Sequence, residues 1–187
     1  MKKSNDYFEM LKSIALLNEG ILKNITNKKS SGSEKLDFHT KQSELYEKLL
    51  DEFIAPIERE DIFILSRCLE DIFNELCSLE ILAYYKNIAD FREQLFPFES
   101  LFRDCTGAFA ELKEYKSPKH LLKTVREHKR SINTNSIGCK RMAYSMMNRG
   151  SRRDFSYENE VYTLLLNILN SLYRADTEIE RIIINNN

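Results

Sequence analysis

A chain of 187 residues with a net charge of −1, 42% hydrophobic and 30% charged residues, but only five glycines and three prolines, suits one domain burying about 70% of its unfolded surface and is too poor in turn residues for a sheet-rich fold. No eighteen-residue apolar run occurs, and no apolar core follows Met1-Lys2-Lys3, so no export or membrane-spanning segment is expected. Cys68, Cys77, Cys105 and Cys139 show neither Cys-x-x-Cys pairing nor zinc-spaced histidines and read as buried free thiols of a cytoplasmic protein.

The first helix is expected over Asp6 to Asn24, where Phe8, Leu11, Ile14, Ala15, Leu17, Ile21 and Leu22 recur at helical spacing. A second, from Ser33 to about Phe53, has a thin apolar face of Leu36, Tyr46, Leu49, Leu50 and Phe53, with His39, Gln42 and Ser43 in the same stripe. Pro56 cannot continue a helix, and Glu58, Glu60 and Asp61 put negative charge where the next helix exposes its first amides. That third helix, from Arg59 to about Tyr85, carries the cleanest repeat in the chain: Ile62, Leu65, Leu69, Ile72, Leu76, Leu79 and Ala83, alternating by three and four like a coiled-coil seam.

Pro97 marks the expected start or kink of helix four, whose seam is Phe98, Leu101, Cys105, Ala108, Leu112 and Tyr115. Ser117-Pro118 opens helix five as cap and first-turn proline. Its stripe is Leu122, Val125, Ile132, Cys139, Ala143 and Met146, interrupted by Lys129 and Ser136, with a bend expected near Asn133 to Gly138. Arg149 to Arg153 reads as a loop and Ser156 as the cap of helix six, with its seam at Val161, Leu165, Ile168, Leu172, Ala175, Ile179 and Ile182.

The pattern is all-α: an elongated six-helix up-down bundle forming one domain over 1–187, with pseudo-repeats of about 1–88 and 89–187, each ending in a long heptad-patterned helix. Charge is segregated along the chain. Between Glu44 and Glu75 ten acids face Lys48, Arg59 and Arg67, a net of −7, and between Lys116 and Arg153 eleven bases face Glu127 alone, a net of +10. Arg149, Arg152 and Arg153, beside the start of helix six, are the candidate anion- or partner-binding residues.

The block Phe53-Ile54-Ala55-Pro56-Ile57-Glu58-Arg59-Glu60-Asp61-Ile62, continued by Leu65 and Leu69-Glu70-Asp71-Ile72 and more loosely from Leu112-Lys113-Glu114-Tyr115 onward, resembles the signature of PhoU-like phosphate-transport accessory proteins, in the branch found with Pit-type permeases. The resemblance implies two three-helix repeats and Glu/Asp-x-x-x-Asp motifs whose carboxylates, one turn apart, hold a divalent or ferric metal. Asp61, Glu70, Asp71, Asp176 and Glu180 are the candidate ligands in this chain. The motif beginning at Glu70 ends in Asn74, His39 stands where helix two would carry an acid, and helix five has no acid from His128 to Ile132. Solvated helix-face charge is the competing reading for these carboxylates, and no cofactor is expected.

The resemblance implies a non-enzymatic accessory or regulatory protein of inorganic phosphate transport. It would dock on a permease or sensor at the cytoplasmic membrane face, reaching the membrane through that partner, with a homodimer compatible. The alternative is an anion- or nucleic-acid-binding helical protein using Lys116 to Arg153, though stable nucleic-acid binding is not expected because the acidic segment offsets that charge. No phosphate-cradling glycine loop, nucleophile elbow or His-Glu-x-x-His occurs, and three histidines offer little for acid–base work; an enzyme is not expected.

Overall fold

The computed structural model describes residues 6–51, 55–85, 92–147 and 152–187, and at 85, 92–94, 143, 145–147 and 152–158 the backbone alone. The described residues form an all-α bundle without strands: α1 (Asp6–Thr26), α2 (Gly32–Asp51), α3 (Arg59–Tyr85), α4 (Arg92–Glu111) followed by a 3₁₀ turn (Leu112–Glu114), α5 (Lys119–Met147) and α6 (Arg152–Asn185).

Every seam residue expected in α3 and α6 is buried except Ala83, which is half-buried. These helices share the most extensive interface and run antiparallel, since Asp61 pairs with Arg181 and Glu75 with Asn167. A three-four stripe lets each helix drop its side chains between those of the other, and each fully buried Leu or Ile contributes about 1.5–3 kcal/mol. α1 lies antiparallel on α4, with Phe8 near Tyr115 and Glu19 bonded to Thr106. α5 covers α6 in the same antiparallel sense.

Where α1 ends, Lys29 N donates to Asn24 O at 2.8 Å and Lys28 N to Ile25 O at 3.1 Å. This double bond pattern closes a helix when the residue after the cap turns left-handed, and Lys28 does so at φ 57°.

Expectations for α2, α4, α5 and α6 are corrected. α2 buries Phe38, Gln42, Leu45 and Leu49, whereas Leu36 is 69% and Leu50 81% exposed. Phe38 stacks on Phe73 with ring centroids 3.9 Å apart, and that aromatic pairing turns Leu36 and Leu50 outward while Leu45 and Leu49 stay in the core. Of the start or kink expected at Pro97, the start is overturned, since α4 begins at Arg92 and holds Pro97 within it, while the Phe98 to Tyr115 seam is buried as expected.

α5 passes uninterrupted through Asn133 to Gly138. It buries Leu121, Val125, His128, Ile132 and Cys139, so the residue interrupting its apolar stripe is His128 rather than Lys129, and Leu121 leads it rather than Leu122. The phase is set by packing on α4 and α6 together, which a single-helix pattern does not contain. Finally, α6 already includes Arg152 and Arg153; nothing after Gly150 in the sequence breaks a helix, so no cap at Ser156 is needed. The cysteines are free, with Cys68, Cys105 and Cys139 buried.

Candidate functional site

The expected metal ligands do not gather. Asp61 is 2% exposed and its Oδ1 accepts from Arg181 Nη2; Arg181 also donates from Nε to Glu178 Oε2 at 3.0 Å. Burial raises the Asp61 carboxyl above its ordinary value, with Arg181 pulling against it. The guanidinium in turn is held further toward its charged form, first by Glu178. An acid expected to sit on a helix dipole thus ties the start of α3 to the end of α6.

Glu70 pairs with Arg67 at 2.8 Å within α3, and Asp71 accepts from Arg174 of α6 at 3.0 Å. Glu180 receives Arg126 Nε and Lys129 Nζ, each at 3.0 Å. Burial works to raise its pKa, but these two cations hold it below the ordinary glutamate value. Lys129 also lies 4.7 Å from the Tyr173 ring centroid. Among the described residues, no three His, Cys, Asp or Glu side chains are arranged to hold a metal ion.

Asp71, Asn74 and Glu75 of α3 and Asn167, Asn170, Ser171 and Arg174 of α6 line a shallow surface groove of about 350 Å³. Its charged groups are already engaged internally, Arg174 with Asp71 and Asn167 Nδ2 with Glu75 Oε1 at 3.0 Å. Asn74, which departs from the expected motif, lies on its wall.

The most unusual chemistry is internal, at Asp176 and His128. His128 Nδ1 lies 2.9 Å from Asp176 Oδ2, and both side chains are 1% exposed. The approach is close but poorly aligned: neither ring nitrogen nor either carboxylate oxygen has a well-formed hydrogen bond. Burial pushes the Asp176 carboxyl above its ordinary value, while His128 acts in the opposite direction. Cys105 of α4, fully enclosed and in the field of Asp176, is held well above the usual thiol range, first by burial. A thiol shifted in that direction is a poorer nucleophile than an ordinary cysteine. A stripe drawn through Leu121, Val125 and Ile132 would have found His128 in the core.

The Pro56 block forms one end of the bundle. Ile57 is buried, the Pro56 carbonyl accepts from Tyr115 Oη at 2.8 Å, and Asn187 Nδ2 reaches Tyr115 O at 2.8 Å. Of the expected anion-binding arginines, Arg149 lies outside the described residues, and Arg152 and Arg153 are described by backbone only.

The outer face of α5 is described from Lys119 to Tyr144. Lys123 is 3.8 Å from Glu127 and Arg126 pairs with Glu180. Lys119, Arg130, Lys140 and Arg141 are exposed and have no ion pair among the described residues. Among the described residues, the acids between Glu44 and Glu75 that form ion pairs do so with Lys41, Arg67, Arg174 and Arg181. Among the described residues, Lys119, Arg130, Lys140 and Arg141 of this face therefore stay without an opposite charge.

No described helix is long and apolar enough to cross a membrane. Compared with known proteins, the chain matches no family model, no curated protein and no solved structure.

Proposed function

We propose that this chain is a non-enzymatic accessory or regulatory protein of inorganic phosphate transport, docking on a permease or sensor at the cytoplasmic membrane face. The observation that supports the reading is the cross-pairing of helices: α1 packs on α4 and α3 on α6. Corresponding members of two three-helix halves thus meet across the bundle, as a duplicated unit with an up-down course would arrange them. Together with the Phe53 to Ile62 block, this fits the PhoU-like resemblance. In this reading the bundle is elongated, and helices such as α3, about 40 Å long, are compatible with that form.

In this reading the protein acts through its surfaces. Asp61, Glu70, Asp71, Asp176 and Glu180 each face a basic side chain of the same chain. Co-purification of the tagged chain with a co-expressed Pit-type permease or phosphate sensor tests it. Retention at about 50 mM salt and loss at several-fold higher salt is expected for charge-steered docking; no retention at low salt by either partner overturns the reading.

A second reading, anion binding through the Lys116 to Arg153 segment, is favoured by the exposed bases of α5 that lack ion-pair partners among the described residues. Retention on a polyanionic, cation-exchange resin, weakened by charge reversal on α5, is its direct test.

A further inference from the structure

On α5, Lys119, Lys123, Arg126, Arg130 and Arg141 are all exposed, Lys123 lying near Glu127 and Arg126 paired with Glu180. At 3.6 residues per turn they fall within a band about 60° wide, opposite the buried side, forming a straight row about 33 Å long. Ile137 lies in the same band, 52% exposed. An isoleucine in the middle of a basic row gains nothing from water and nothing from a phosphate backbone, but it gains by entering a headgroup–acyl boundary.

We infer that this face of α5 docks directly on an anionic lipid bilayer, its cationic heads at the phosphate plane and Ile137 inserted between them. A plane meets a straight row along its whole length. The strands of a nucleic-acid duplex wind across such a row and meet only part of it, so the geometry favours the bilayer. The inference rests on the reading of α5 as an anion-binding face and requires no permease.

The test is flotation of the full chain with vesicles of phosphatidylcholine alone or with about 30% phosphatidylglycerol, at about 50 and 150 mM salt, ionic strengths that change screening between surface charges. Binding to the anionic vesicles only, weaker at the higher salt, is expected. A Lys123→Gln, Arg130→Gln, Arg141→Gln triple variant should partition about 100-fold less, since each base near the surface is worth roughly fivefold. Ile137→Ser should weaken binding while leaving its salt dependence unchanged, which keeps the test sound if the triple variant does not fold.

Equal binding to both vesicle types, or binding unaffected by either variant, overturns the inference. So does binding to a short DNA duplex without binding to anionic vesicles, an outcome that leaves α5 as an anion-binding face. Binding to neither removes both readings.

Discussion

The Tyr115 hydroxyl donates to the Pro56 carbonyl across 2.8 Å, joining positions 59 residues apart. The bond holds the break between α2 and α3 against the turn that follows α4, and the Tyr115 ring, 6% exposed, packs 6.0 Å from Phe8. Tyr115→Phe keeps the ring and deletes the donor. Its expected cost is about 1 kcal/mol, a drop of about 2–4 °C in Tm for a chain of this size, measurable by calorimetry.

Lys28 occupies the left-handed position that closes α1, at φ 57°. A side chain there is crowded against its own backbone, whereas glycine is not. Lys28→Gly should stabilise the protein by up to about 1 kcal/mol, in contrast to the loss expected from glycine inside any helix. Urea denaturation decides the sign.

Removing Arg181 leaves the Asp61 carboxylate buried without its cation, whereas removing the Asp61 charge leaves Arg181 still bonded to Glu178. Because Arg181 is 41% exposed, water softens the loss. Arg181→Ala should cost about 1–3 kcal/mol and Asp61→Asn less. In the double variant the two costs should not add, and additive costs in a double-mutant cycle would show that the pair is not coupled.

For Asp176 the folded-state pKa is raised above the ordinary value of 3.8, so the native state holds that proton longer than the unfolded chain. The stability this contributes is present below pH 3.8 and is lost as pH rises through the folded-state pKa. Asp176→Asn removes that slope. The variant should therefore gain on the wild type as pH rises above 3.8 and keep the gain at neutral pH; guanidinium titrations at several pH values compare the two chains directly.

The orientation of α2 yields a paired prediction. Phe38 is fully buried on Phe73, whereas Leu50 is 81% exposed. Phe38→Ala should cost about 3–5 kcal/mol, while Leu50→Ala should change stability by less than about 0.5 kcal/mol. Comparable costs at the two positions would restore the opposite face of the helix to the core.

The helices of this protein and the seams of α1, α3, α4 and α6 were legible in the sequence because their apolar residues repeat at three and four without competition. In α3, Ile62 to Leu79 can turn only one face inward, so local periodicity determines what is buried. Where two faces compete, periodicity loses that power. α2 offered either Leu36 and Leu50 or Phe38 and Leu45, and the choice fell to Phe73, a residue on another helix. The chemistry of the candidate site was least legible. Asp61 and Asp176 are helix acids like many others in the sequence, and His128 is one histidine in a basic segment. Only packing decided that Asp61 would meet Arg181 and that Asp176 would meet His128 away from water, because burial and partnership belong to the space between helices and not to the spacing along any one of them.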